Sequence, residues 1–303
     1  MASSTLVSGS TSTEPGPAAR RSGLWPELRR RPAFAVSSVM ALLVCAMAAV
    51  PQAFAGWFGG GDPRRCDLAG SGLPPAPGHP FGFDIQGCDL YTHVVYGARS
   101  SVLIAVLTTA GMLLLAVVLG LLAGYFRGWV DMLISRVMDV FFGFPALVGM
   151  IVILQTLSTH NEVTVSAVLI LFGWPALARV MRGSVLATAG SEYIAAARGV
   201  GASTPRILLR HVLPNSFGPV AVLTGLNVGG VIASESALTF LGVGLQTPAI
   251  SWGVQLNTAQ QYFTTSPHLL IFPSIFLTVT VLSFVLLGDA LRDAFDPRLR
   301  QVM

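Results

Sequence analysis

The chain has 303 residues, of which 53% are hydrophobic and only 11% charged, with a mean hydropathy of +0.69. Soluble domains carry about 25% charged residues, so a water-soluble globular protein is excluded. The net charge is +4 and all 18 basic residues are arginine; their places in loops account for that charge without a nucleic-acid partner.

Residues 1–31 are rich in Ser, Thr, Gly, Pro and Ala and predict a disordered tail. A cleavable signal peptide is rejected, because the charged region before the first apolar run is long and the run exceeds a signal core. Six apolar runs then follow, each long enough to cross a bilayer or nearly so: Pro32–Phe58, Ser100–Phe126, Leu133–Leu157, Val163–Ala178, Phe217–Leu241 and Leu269–Ala290. They are continuous and not alternating, which predicts helices in place of barrel strands. The expected fold is all-α and polytopic, with six transmembrane helices. The fourth run is short and requires Arg179 to snorkel; the fifth contains Asn227, Glu235 and three glycines.

Between the first two runs, residues 59–99 form the longest loop, with an interfacial helix at its end placing Leu90, Val94 and Val95 on one face. Residues 100–290 then form a five-helix core and residues 291–303 a second tail. Within the core, the loop Gly242–His268 carries Trp252, Tyr262 and Phe263, residue types suited to a membrane-surface belt. With both termini inside, fifteen arginines fall on the inner side and only Arg64, Arg65 and Arg99 on the outer. The positive-inside rule selects that topology.

Cys45 lies in the first run, where a small packing role suits it. Cys66 and Cys88 share the long outer loop, and either a disulfide or two free thiols agrees with their positions. Histidines 79, 93, 160, 211 and 268 are scattered without ligand spacing, so no metal site is expected. P-loop, HExxH, paired CxxC and nucleophile-elbow patterns are all absent from the sequence. Work driven by ATP therefore requires another chain.

One polar, arginine-bearing island interrupts the apolar runs: SEYIAAARGVGASTPRILLRHVLPNS, Ser191–Ser216. It predicts a short helix, a break at Gly199 and Gly201, and a second helix starting at Thr204–Pro205. Pro214 is expected to end the unit.

The island resembles the cytoplasmic "EAA" coupling loop of binding-protein-dependent ABC importer permeases. Ala196, Ala197, Gly201, Leu213 and Pro214 fall at the motif's spacing, whereas Ala195 stands at its usual glutamate. Glu192, one turn earlier on the same helical face, is the candidate replacement. The resemblance extends in order through HPFGFDIQGCDLYTHVVYGARSS (79–101), GYFRGWVD (124–131), WPALARVMR (174–182), SESALTFLGVGLQTPAISWG (234–253) and GDALRDAFDPRLR (288–300). These segments are similar to the C-type permease subunit of dipeptide and oligopeptide importers, in the peptide/nickel group. Cys88 stands where that group usually has arginine.

The resemblance implies a type I ABC importer permease fold and alternating access, with di-/oligopeptides as substrates. Nickel, haem or another small solute is the alternative within the family; a six-span membrane enzyme or scaffold is a distant one. Implied partners are a second permease, two ATP-binding subunits or one fused chain, an external solute-binding protein and membrane lipid. ATP and Mg belong to the ATPases; no cofactor is expected in this chain, which is not an enzyme. The implied location is the bacterial inner membrane, with both termini cytoplasmic.

Coupling would fall to the loop 191–214, through Glu192, Tyr193, Ala196, Ala197, Arg198, Gly201, Arg206, Leu213 and Pro214, with Tyr193, Ile194 and Val200 as apolar knobs. Thr224, Asn227, Ser234, Glu235 and Ser236 are the intramembrane polar residues that could line a pathway. Glu235 either greets a peptide ammonium there or serves structure, capping a helix break or pairing with Arg179 or Arg182. A fixed charge suits a conduit for diverse side chains poorly, so the structural role is preferred. Arg136 and Asp139, three apart, are expected to pair locally.

Overall fold

The computed structural model describes residues 32–58 and 61–295. The tail expected over 1–31 and most of that over 291–303 lie outside the described residues. Eleven helices are named here: α1 Pro32–Ala49, α2 Pro51–Ala55, α3 Leu90–Phe126, α4 Gly128–Gly143, α5 Ala146–Thr156, α6 Glu162–Ala189, α7 Glu192–Gly199, α8 Thr204–Ile207, α9 Leu213–Phe240, α10 Trp252–Ala259 and α11 His268–Phe295. Leu208–Val212, between α8 and α9, is a π-helical turn. Among the described residues no strand forms; three isolated antiparallel bridges lie in the loop before α3. Five helical stretches are long and apolar enough to span a membrane, or six if the bent pair α4–α5 counts as one.

Proline decides where the apolar runs break. The first run ends as a single helix at Ala49, because Val50 precedes Pro51 and leaves the helical region at φ −131° and ψ 65°. The third run is two helices meeting at 90°. Phe144, before Pro145, is extended at φ −103° and ψ 135°, so the chain turns there.

Elsewhere the helices outrun the expected boundaries. α3 is one helix of 37 residues, joining the expected interfacial helix to the second span. At 1.5 Å per residue it is about 55 Å long, well beyond a hydrocarbon core of about 30 Å. Asp89 caps its start by accepting the Thr92 N–H at 2.7 Å. The fourth span is not short: α6 continues to Ala189 with Pro175 inside it. Pro214 does not end the island's second helix either, since helix continues from Thr204 to Phe240. Proline has no N–H to give and crowds the preceding turn; the wider π turn at Leu208–Val212 stands at that position.

α3 packs most extensively against α6. A Cβ on Gly120 would come within 2.6 Å of Met181 Cβ, and one on Gly124 within 2.7 Å of Val185 Cβ. Two glycines four apart thus let the backbones approach, as membrane helices do without a hydrophobic drive between them. Three apolar clusters stack along this axis. The uppermost joins α1, α3, α10 and α11 through Val44, Val94, Trp252 and Leu269. The middle one centres on Ile104, Leu177, Ile232 and Leu238. The lowest gathers Leu121, Met181, Ile194, Ile207 and Val220.

Trp252 departs from the surface belt expected of it. It is fully buried and donates its indole N–H to Val94 O at 2.9 Å, while Tyr262 and Phe263 remain exposed.

Gly120→Leu should overpack the seam, at a cost of about 1–3 kcal/mol, and lower the melting temperature in detergent. Gly183→Ala, where an added Cβ meets nothing within 4 Å, should cause no loss. Equal melting of both variants and the wild type would refute the seam's importance.

Candidate functional site

The island between α6 and α9 is a docked unit and not a loose loop. Ile194 of α7 is fully buried against Leu121, Met181 and Val185, together with Ile207 and Val212 of the following segment. Ile194 is therefore an inward anchor, not an outward knob. Ala197 is half-buried on the same side. The outward face presents Glu192, Tyr193, Ala195, Ala196 and Val200, the last 86% exposed. Arg198 lies over the Tyr125 ring, 5.3 Å from its centroid; this ties α7 to the end of α3.

Gly201 ends the short helix at φ +80° with open space around it, so backbone conformation is what requires glycine there. Arg206 and Pro214 are exposed and Leu213 is half-buried. The unit's two ends meet: Ser216 Oγ donates to Thr188 Oγ1 at 3.0 Å, and Ser191 Oγ donates to Thr188 O at 2.6 Å.

Above this unit, ion pairs fasten α4 to α6. Arg182 makes a two-pronged contact with Asp131, through Nε to Oδ1 and Nη2 to Oδ2, the latter at 2.7 Å. Arg179 Nη2 reaches Asp139 Oδ1 at 3.0 Å and its guanidinium lies 4.0 Å from the Phe142 ring centroid. The local pair Arg136–Asp139 is longer, at 3.8 Å. Both α6 arginines are thus engaged with α4. Neither pairs with Glu235.

Glu235 is fully buried, and among the described residues its carboxyl group is held by hydroxyls. Ser101 Oγ of α3 donates at 3.4 Å, Ser236 Oγ at 3.1 Å and Thr239 Oγ1 at 3.0 Å. Thr239 Oγ1 in turn accepts the Leu245 N–H at 3.1 Å, so the carboxyl group organises the end of α9 and the loop beyond it. Of the other intramembrane polar residues, Ser236 and Thr224 are buried, and Thr224 Oγ1 donates to Val220 O at 2.7 Å. Asn227 and Ser234 are half-buried, and Asn227 Nδ2 donates to Leu223 O at 2.8 Å. These five share one helix.

At the opposite end, Cys66 and Cys88 are joined as a disulfide, with Cα atoms 4.1 Å apart. Cys88 is buried and Cys66 exposed. His93 lies close to both sulfurs, but disulfide sulfurs are not thiolate ligands. The imidazole contacts Asp84 Oδ2 at 3.3 Å and Pro63 O at 2.8 Å. His79 contacts Asp89 at 2.6 Å and His268 contacts Phe83 O at 3.3 Å, so the histidines at this end tie the loop down. Cys45 is exposed on α1 and not packed in the core.

Sequence reasoning passed over the Thr188–Ser216 closure, the Arg198–Tyr125 contact and the two α4–α6 ion pairs. Only the last left a signal: acidic residues eight apart around the start of the third apolar run, Asp131 and Asp139, and arginines three apart just past the end of the fourth.

Residues 116–301 match the family model of the binding-protein-dependent transport system inner membrane component. Over 226 residues the chain is 39% identical to the glutathione transport system permease protein GsiD of Pectobacterium atrosepticum, covering 75% of each chain. It is 38% identical to the dipeptide transport system permease protein DppC of Bacillus subtilis, covering 78% of this chain and 74% of that one. With the oligopeptide transport system permease protein OppC of the same organism, identity is 32% over 92% of this chain and 91% of the relative. Among solved structures, the crystal structure of an amino acid ABC transporter with histidines aligns with a TM-score of 0.50 at 14% identity, covering 65% of this chain and 91% of that one. That likeness bears on the fold alone.

Two outcomes follow from the geometry. Without reductant, a thiol-alkylating reagent should modify neither Cys66 nor Cys88, and the paired Cys66→Ala/Cys88→Ala variant should lose about 2–4 kcal/mol of stability; alkylation of both before reduction would contradict the bond. Asp131→Asn should weaken the hold of α4 on α6 and lower the yield of folded protein, and the exchange Asp131→Arg with Arg182→Asp should restore part of it. No recovery in the exchanged protein would argue against pairing as the cause.

Proposed function

The chain belongs to the family of binding-protein-dependent transport system inner membrane components, and on that footing we propose that it carries di- and oligopeptides across the membrane. It is a multi-pass permease subunit of an ATP-driven importer and not itself an enzyme. The peptide reading draws on relatives named for glutathione, dipeptide and oligopeptide transport. They favour peptides over nickel or haem.

The observation that carries the mechanism is the docked unit at Ser191–Ser216. Ile194 and Ile207 root it in the span core, while Glu192, Tyr193, Ala196 and Val200 face outward. A helix rooted in that way cannot move alone; a push on its outer face displaces α3 and α6 with it. We assign this face to contact with an ATP-binding subunit. The assembly would comprise a second permease, two ATP-binding subunits or one fused chain, and an external solute-binding protein, with ATP and Mg held by the ATPases. Closure of the ATPases would then rock the spans between inward- and outward-open states.

Arginine placement supports a cytoplasmic position for this unit and for both termini. Arg127, Arg179, Arg182, Arg198, Arg206 and Arg210 cluster towards the island, whereas Arg64, Arg65 and Arg99 belong to the other end. Ala195 supplies no acid at the usual motif position; Glu192, exposed one turn earlier, takes that contact.

A cysteine introduced as Val200→Cys in the assembled transporter should crosslink to an ATPase subunit. Gly201→Val, strained at φ +80° by about 1–2 kcal/mol, should abolish ATP-driven peptide uptake while leaving the protein in the membrane. Crosslinking only to the external protein would overturn the topology, and normal uptake by Gly201→Val would overturn the coupling assignment.

A further inference from the structure

A cavity of about 1050 Å³ opens at the end of the bundle opposite the 191–216 unit. Its walls are fixed before any ligand arrives. The Cys66–Cys88 disulfide holds one side. On the other, Trp252 and Gln255 of α10 donate to Val94 O at 2.9 Å and His93 O at 2.7 Å, locking α10 onto the start of α3. The volume suits a small organic ligand, for which sites run to about 300–1,000 Å³.

The charges on the lining divide into engaged and unengaged. Asp84 accepts the N–H groups of Gln86 and Cys88, each at 2.8 Å, and contacts His93. Asp62 accepts the Arg64 backbone N–H at 2.9 Å. By contrast, the guanidinium groups of Arg64 and Arg99 form no ion pair among the described residues. Glu162, also on the lining, uses one oxygen to accept the Ser100 hydroxyl at 3.1 Å, leaving Oε2 free among the described residues. Arg64, Arg99 and Glu162 all line this one cavity, so it offers an anion two guanidinium groups and a cation one free carboxylate oxygen. Ile250 and Val254 supply apolar lining.

We propose that this cavity is an entry site for a zwitterionic peptide, its terminal carboxylate held by Arg99 and Arg64 and its terminal ammonium by Glu162. Peptides of different sequence share only their backbone and their two charged ends, so a permease that accepts many of them gains by recognising those ends. A planar guanidinium matches a carboxylate in two parallel hydrogen bonds, and the partly apolar wall tolerates varied side chains. The assignment rests on the peptide-import reading above and adds the place and chemistry of first contact.

The complete transporter, reconstituted in liposomes with its solute-binding protein, tests it using dialanine, N-acetyl-dialanine and dialanine amide. In Arg99→Gln, KM for dialanine should rise roughly tenfold, the scale of one charged hydrogen bond, with the maximal rate little changed; the preference for dialanine over its amide should vanish. Glu162→Gln should instead erase the preference over the N-acetyl peptide. Arg99→Lys should recover part of the lost KM. Normal dialanine uptake with unchanged KM and end-group preference in both Gln variants would overturn the cavity assignment alone. No uptake of any of the three by the wild-type assembly would overturn the peptide reading and the assignment with it. Weaker association of the solute-binding protein with either variant, equal with and without peptide, would make the cavity a protein-docking surface and overturn the ligand assignment.

Discussion

The contact between α3 and α6 is the constraint on which the rest of the molecule depends. Gly120 and Gly124 let α6 lie against the α3 backbone, and every other feature is referred to that pair. At one end Ser100 and Ser101 of α3 bond Glu162 and Glu235, tying the start of α6 and the last turns of α9 to α3. At the other, Leu121 and Met181 form the bed in which Ile194 lies. The bent pair α4–α5 is fastened to the same axis through arginines of α6. Bilayer lipid gives little drive for helix association, so close backbone approach and polar contacts at the ends supply it.

This arrangement explains the tolerance for buried polarity. Among the described residues Glu235 forms no ion pair, yet three hydroxyls converge on its carboxyl group. Burying such a group without partners is costly; with donors from α3 and α9 it becomes a joint between helices. Asp131, half-buried, and Asp139, exposed, are joined to α6 by arginine instead. Glu235, Asp131 and Asp139 thus mark where helices are joined, whereas Thr224 and Asn227 bond carbonyls of their own helix.

Helical class, membrane character and the position of the 191–216 unit were legible because each rests on local composition, such as long apolar runs or an arginine-rich interruption. Helix ends were less so. Phe144–Pro145 makes a 90° turn, whereas Pro175, Pro219 and Pro273 lie inside continuous helices, so a proline's place in the sequence does not by itself fix a helix end. Pro214 was misread for a related reason, as a π turn precedes it. Directions of side chains fared similarly. Ile194 and Val200 look alike in the sequence, but only one faces the spans. Trp252 was assigned to the interface by residue type, though its indole N–H finds a carbonyl inside.

The hydroxyl contact between Ser216 and Thr188, 3.0 Å long, makes the intervening segment a loop with closed ends. Its length and shape are thereby decoupled from the spacing of the spans that carry it. Evolution or an engineer can exchange such a segment as a cassette, provided that the replacement brings its own counterparts of Ile194 and Ile207 to fill the bed beneath.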